Sequence, residues 1–221
     1  TGMIGKLHVN PESAIPLDHR AIKKSGCNDR PMRKCADAGA AFFQASDQPF
    51  FWAINVPDAH FPRLSQQYGL PKEPLTADDV RPLPFIGADS ARLRKGTADY
   101  YNCLMRLDSG IGMVLEELQA AGKTNDTLVI YIGDHGAQFS RGKATCYEGG
   151  LRIPRIVRWP KKIRPETVRD ELVSTVDILP TVIQATALPA RASLPGRSLL
   201  ALAANRNVPW REYLFAERTA Y

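Results

Sequence analysis

Two short polar groups follow directly on apolar runs, the position where chemistry-bearing side chains collect in α/β sheets. Asp58 and His60 come after residues 49–56, and Asp134 and His135, followed by Gly136, come after residues 127–132. A carboxylate at a strand end, with a second donor beside it and a glycine that lets backbone approach, suits a divalent cation. The same Asp-His-Gly triplet also suits a hydrogen-bonded turn. His60, in Pro57-Asp58-Ala59-His60-Phe61-Pro62, offers an imidazole that titrates near neutral pH and so a general acid or base, or else a histidine satisfied by turn hydrogen bonds. Lys6 and His8, in Gly5-Lys6-Leu7-His8, alternate in an extended segment and so share one face. There lysine supplies a point charge for an anion and histidine a proton relay. His19, in a polar stretch, is assigned to solvent.

The elements that would position these residues are short strands and long helices. Residues 49–56, 127–132 and 155–159 read as strands, and their nearly continuous hydrophobicity predicts cover on both faces. From Ala98 the apolar residues Tyr101, Met105, Ile111, Val114, Leu115 and Leu118 recur at helical steps, and Ala121-Gly122 supplies the stop. The order strand, long helix, strand predicts a parallel crossover. A second helix is predicted over about 170–187, with Pro180 as a kink or break. Five prolines between residues 61 and 90 predict a long surface excursion that walls a site, and residues 9–34 read as irregular. Tyr213-Leu214-Phe215-Ala216 reads as one more strand. The pattern is that of an α/β protein with a mostly parallel central sheet flanked by helices.

Composition narrows the partners. The 221 residues are 44% hydrophobic and 24% charged, the mixture of a globular chain, and no apolar run reaches the roughly 20 residues of a membrane-spanning helix. The four cysteines, Cys27, Cys35, Cys103 and Cys146, contain no C-x-x-C pair, which argues against structural zinc and a disulfide scaffold; Cys27 and Cys35 either pair across a loop or stay free. The net charge is +6, but between Gln138 and Arg169 nine basic residues face only two acidic ones, a local surplus of seven. That cluster suits an anionic substrate or a solvated face; without interleaved aromatics or a recognition motif it argues against nucleic acid.

Taken in order, Gly2-Met3-Ile4-Gly5-Lys6-Leu7-His8, Asp58-Ala59-His60, Asn125 through Gly136, and Gly142-Lys143-Ala144-Thr145-Cys146-Tyr147-Glu148-Gly149-Gly150-Leu151-Arg152-Ile153-Pro154 resemble the sulfatase family, and within it the heparan N-sulfatase and arylsulfatase-type members. Val176-Asp177-Ile178-Leu179-Pro180-Thr181 and Gly196-Arg197-Ser198-Leu199-Leu200 match two further stretches. The resemblance spans nearly the whole chain and is least distinctive over residues 9–48 and 61–95.

The resemblance implies an alkaline-phosphatase-like sulfatase fold, here incomplete: residues 1–200 as part of the α/β catalytic domain and 201–221 as the start of a smaller carboxyl-terminal subdomain. It also implies one calcium ion, or magnesium in its place, beside a formylglycine made from Cys or Ser. By position, Asp134 and His135 match half of the metal site, Lys143 the lysine that holds sulfate, Lys6 and His8 the pair beside the formylglycine, and His60 the histidine near the leaving-group oxygen. Glu148 and Arg152 are left as buttresses of Lys143. The implied reaction is hydrolysis of a sulfate ester or sulfamate on a sulfated sugar or aryl sulfate, in a periplasmic, secreted or lysosomal setting. The alternatives are a phosphodiesterase or phosphonate monoester hydrolase of the same superfamily, and a non-catalytic binder of sulfated glycans. The family's C-x-P-S-R nucleophile motif and its paired aspartates are absent from the 221 residues, and both are expected upstream of Thr1. Ser193-Leu194-Pro195-Gly196-Arg197 fits S-x-P-x-R in letters only and is read as a decoy.

Overall fold

The computed structural model describes all residues except 8, 24–28, 46, 190–192 and 219–221. The chain divides into two compact units, one of Thr1–Thr124 with Ala137–Ser140 and one of Asn125–Gly136 with Arg141–Tyr221.

The first unit is built on a parallel sheet in the order β2-β1-β3, with β1 at Gly2–Gly5, β2 at His19–Ala21 and β3 at Trp52–Asn55. All four residues of β1 are buried because it lies between two neighbours. Gly2 is required there: a Cβ would lie 2.4 Å from the Trp52 ring, which stacks on Phe42 at 4.2 Å. Helix α1 (Met32–Gln44) connects β2 to β3, and it packs on the 30-residue helix α2 (Ala91–Ala120). Gly110 makes that contact close, since a Cβ on it would meet Met32 Sδ at 2.7 Å. Ser90 caps α2 by accepting the Leu93 N–H at 3.3 Å, and Gly122 takes the left-handed conformation just past its end, with φ of 70°.

Residues 61–90 hold no strand and only one turn of 3-10 helix, Pro84–Ile86, as the prolines predict. This excursion is nonetheless tied to α2. Buried Asn102 accepts the Leu75 N–H at 2.7 Å and donates to the Leu75 carbonyl at 2.9 Å, and Arg106 Nη1 donates to Leu64 O at 2.9 Å.

In the second unit β4 (Val129–Ile132) and β5 (Arg155–Arg158) form an antiparallel pair in which Ile130 faces Val157. Helix α3 (Glu148–Leu151), helix α4 (Ile178–Ala185) and helix α5 (Leu200–Ala203) complete it.

Several expectations are corrected here. The strand-helix-strand order from β3 through α2 to β4 does not make a parallel crossover among the described residues, because β4 takes β5 as an antiparallel partner. At about 1.5 Å per residue α2 runs about 45 Å, far more than a return between four-residue strands needs, and along it α2 packs on α1 and holds Leu75, Leu64 and Asp58. β5 is not covered on both faces: its burial alternates and Ile156 is 62% exposed, as an antiparallel pair with one wet face allows. The second helix starts only at Ile178, after a 3-10 turn over Thr175–Asp177, so Pro180 falls in its first turn, where a missing N–H costs no helical bond, and it neither kinks nor breaks the helix. Residues 213–216 form no strand and find no pairing partner among the described residues; Phe215 is exposed. The irregular region 9–34 contains β2 and the first turn of α1. His19 is exposed in β2 but its ring rests 5.7 Å from Trp52, so it is not wholly solvated. Cys35 and Cys103 are free and buried, Cys146 is free and exposed, and Cys27 lies outside the described residues.

Candidate active site

In the first unit, neighbouring parallel strands end at the same edge, which places the residues after β1 and β3 together. Lys6 follows β1, is exposed, and its ammonium has no partner among the described residues; its carbonyl accepts from Asn55 Nδ2 at 2.8 Å, which ties the ends of the two strands. His8 lies outside the described residues. His60, five residues beyond β3, is exposed. Its N–H donates to Pro57 O at 2.7 Å and its Nδ1 lies 2.7 Å from Phe61 O. A carbonyl can only accept, so that contact assigns the proton to Nδ1 and leaves Nε2 as the atom that gains or gives a proton toward a ligand.

Asp58 has a different role from the one its place after β3 suggests. Its carboxylate is fully buried between two equally buried arginines: Arg30 Nε donates to Oδ1 at 2.8 Å, Arg106 Nη2 to Oδ1 at 2.8 Å and Arg106 Nε to Oδ2 at 2.8 Å. Arg30 Nη2 also donates to His60 O at 3.1 Å and Pro62 O at 3.2 Å. The charge of Asp58 is therefore spent holding the His60 loop against α2. Sequence reasoning missed this clamp, since residues 28 and 48 positions away give no local spacing to read.

Next to His60, the Arg63 guanidinium lies between the Phe61 ring at 4.2 Å and the Phe139 ring at 4.0 Å, while Arg63 Nη1 and Nη2 donate to Gly96 O at 3.2 Å and Gln138 O at 2.6 Å.

In the second unit, Asp134 and His135 follow β4, and Asp134 is exposed. The His135 N–H donates to Asp134 Oδ1 at 3.0 Å, His135 Nδ1 lies 2.9 Å from Gly136 O, and His135 Nε2 lies 3.3 Å from Asp134 Oδ2. As with His60, the carbonyl assigns the ring proton to Nδ1. In the neutral ring the Nε2 lone pair then faces a carboxylate oxygen, and two acceptors this close call for a proton or a cation between them. A doubly protonated ring paired with Asp134 meets that need, as does a cation held by both side chains, and among the described residues no group of three or more His, Cys, Asp or Glu side chains completes a metal site.

Glycines hold this segment to the loop bearing Lys143. The Gly136 N–H donates to Gly150 O at 2.9 Å, and a Cβ on Gly136 would lie 1.8 Å from Gly149 O. A Cβ on Gly150 would lie 2.5 Å from Gly142 O, which itself accepts from Thr145 Oγ1 at 2.7 Å. Lys143, between the positive-φ residues Arg141 and Ala144, is half-buried and its ammonium has no partner among the described residues. A lysine held on a glycine-locked loop without a counter-ion is available to an anion.

Asp177 joins the remaining two matched stretches. Its buried carboxylate accepts from Arg211 Nη1 and Nη2 at 2.7 and 2.6 Å, from the Arg197 N–H at 2.8 Å and from the Ser174 N–H at 2.8 Å. Burial pushes the Asp177 carboxyl up, but these donors outweigh it and hold it below the usual carboxylate value. Gly196 packs on Val176, where a Cβ would lie 2.0 Å from Val176 O. Within the Ser193–Arg197 stretch, Gly196 and the Arg197 N–H are thus engaged with Val176 and Asp177.

Comparison with known proteins agrees with this architecture. The sulfatase family profile matches residues 9–188. The chain is 32% identical to human N-sulphoglucosamine sulphohydrolase, over 90% of this chain and 46% of that protein, and 31% identical to human arylsulfatase A, over 71% and 28%. It spans about half the length, or less, of the curated relatives it matches. Among solved structures, a phosphonate monoester hydrolase from Silicibacter pomeroyi superposes with a TM-score of 0.70 at 21% identity, covering 84% of this chain and 44% of that one. A protein solved in complex with its substrate D-glucosamine-2-N,6-O-disulfate superposes with a TM-score of 0.51 at 24% identity, covering 56% and 27%. At such identities these two likenesses concern the fold, a mixed α/β arrangement with a parallel sheet flanked by helices. Among the described residues no helix is long and apolar enough to cross a membrane.

Proposed function

Because the chain belongs to the sulfatase family, we propose that it carries part of the active site of a sulfuric ester or sulfamate hydrolase acting on a sulfated sugar or aryl sulfate. The observation that carries this reading is the glycine-locked pairing of the Asp134-His135 donors with the loop of Lys143. The name of the human relative that matches 90% of this chain supports an N-sulfated sugar as the first substrate to try.

The roles follow from chemistry. A sulfate group carries negative charge on its non-bridging oxygens, and the Lys143 and Lys6 ammonium groups are point charges that neutralise it. His60, with Nδ1–H held on the Phe61 carbonyl, presents Nε2, which in the doubly protonated ring carries the proton passed to a departing alkoxide or amine. His8 completes the pair with Lys6 on the family pattern. Asp134 Oδ2 and His135 Nε2 would hold the metal, calcium or magnesium, and when bound that ion adds positive charge against the sulfate oxygens. The nitrogen donor suits calcium less well than an all-oxygen set does. The formylglycine nucleophile would come from residues outside Thr1–Tyr221, since no C-x-P-S-R occurs within them.

The test is turnover by the full gene product on aryl sulfate, aryl phosphate and N-sulfated glucosamine. Sulfate cleavage that drops at least tenfold in Lys143→Ala, with unchanged circular dichroism, is expected. Faster phosphate than sulfate turnover would overturn the assignment, and Lys143→Ala with wild-type kinetics would place that lysine on a solvated face.

A further inference from the structure

The residue after His60 has a feature the proposed chemistry does not use. Phe61 is 47% exposed, although its ring lies 4.2 Å from a guanidinium. Half exposure is what remains when one face of a ring is covered and the other is open. The covering group is fixed: Arg63 is stacked against Phe139 on its other side, Phe139 meets Tyr100 edge-on at 5.7 Å, and both Arg63 terminal nitrogens donate to backbone carbonyls at 3.2 and 2.6 Å. Other large side chains in the first unit, Phe51 and Tyr68, are as exposed or more so, yet among the described residues no cation stacks on their rings. The carbonyl of Phe61 also orients the His60 ring through the 2.7 Å contact with Nδ1. One residue thus sets the direction of the candidate acid and offers a flat, immobilised apolar surface beside it.

A flat aromatic face with low conformational freedom binds a ligand that is itself flat and apolar on one side and polar around its rim. A pyranose has that shape, with axial C–H bonds on a face and hydroxyls at the edge. We propose that Phe61 is the stacking wall of a sugar subsite, receiving the C–H face of the pyranose whose sulfated substituent is presented to His60. This rests on the sulfatase reading for the identity of the ligand, and on the Phe61-Arg63-Phe139 stack for its position.

The experiment is ligand-observed NMR on the full gene product with methyl N-sulfo-glucosaminide and, separately, inorganic sulfate. Selective irradiation of protein aromatic protons is expected to saturate the protons of one pyranose face more strongly than the rest. Phe61→Leu, which keeps apolar bulk but removes the plane, is expected to abolish that selectivity and weaken sugar binding roughly fivefold to tenfold, while leaving inorganic sulfate affinity unchanged. Phe51→Leu, an equally exposed ring outside the stack, should change neither. Wild-type selectivity that survives in Phe61→Leu, or a sugar that fails to bind the wild-type chain, overturns the proposal. Sulfate binding without sugar binding would leave the anion-binding reading standing without the subsite; face-selective sugar binding with no sulfate turnover by the full gene product would do the reverse.

Discussion

Replacing Asp58 by Asn tests whether the His60 loop is held by charge. The wild-type carboxylate accepts three hydrogen bonds, each of 2.8 Å, from two guanidinium groups whose side chains, like its own, are completely buried. Each such charged bond contributes about 1.5–3 kcal/mol net, but the larger effect is what the substitution leaves behind. Asparagine keeps one acceptor oxygen, turns an N–H₂ toward one arginine, and leaves two buried cations with no counter-charge at this position. Breaking a buried pair in this way costs about 3–5 kcal/mol, a large share of the roughly 5–15 kcal/mol of a typical domain. With a urea slope of about 2–3 kcal/mol per molar, the unfolding midpoint should fall by about 1–2.5 M. Urea titration followed by far-ultraviolet circular dichroism and by tryptophan fluorescence in a Trp159→Phe, Trp210→Phe background, which leaves Trp52 in the same unit as the reporter, reads this. Asp37→Asn is the control, because the Arg33–Asp37 pair has the same short contact but both side chains are about half exposed or more, and its midpoint should stay in place. A loss below about 1 kcal/mol at unchanged slope would refute the reasoning. A variant with wild-type stability and weakened divalent-cation binding would instead make Asp58 a ligand.

Three further outcomes follow from the same geometry. Gly136→Ala should destabilise the second unit by about 2–4 kcal/mol, because its Cβ would sit 1.8 Å from Gly149 O, whereas Gly112→Ala, in α2 with nothing within 4 Å, should leave stability unchanged or raise it by up to about 1 kcal/mol; thermal unfolding of the two distinguishes them. In a Cys27→Ser background one thiol, exposed Cys146, should react promptly with an aromatic disulfide reagent at pH 8, while Cys103 is buried and burial pushes Cys35 up to about 11; prompt reaction of three thiols would contradict this. Asp177 is held below its ordinary value of 3.8, so its stabilisation is present above about pH 4 and is lost as pH falls below that; Arg211→Met should move the acid transition seen by circular dichroism to higher pH.

What the sequence makes legible divides along a physical line. Strands β3 and β4 are readable because apolar residues crowd into continuous runs that end at proline or glycine, and β5 because Ile156, Val157 and Trp159 gather just before Pro160. Helix α2 is readable because large apolar residues repeat along it. Helix α1 escapes the same reading although its buried residues Met32, Cys35, Ala36, Gly39 and Phe43 recur at steps of three and four. Most of them are small, so their periodicity carries little hydropathy, and smallness is what lets α1 approach α2 through Gly110. β2 has only His19, Arg20 and Ala21 and is made a strand by its neighbour β1, not by its own composition.

The candidate site is legible for a different reason. Asp134, His135, Gly136, Lys143, Gly149 and Gly150 fall within 17 consecutive residues, and two of them, Gly136 and Gly150, meet backbone atoms too closely for any side chain. Such steric requirements leave marks in sequence, because only glycine satisfies them. The Arg30-Asp58-Arg106 clamp leaves no comparable mark. Each member is an ordinary charged residue in its own neighbourhood, and what makes the triad necessary is that all three are dry at once. Burial of charge is a property of the folded arrangement. It follows that Asp58, although it stands after a strand as Asp134 does, is the anchor that sets where His60 can present Nε2.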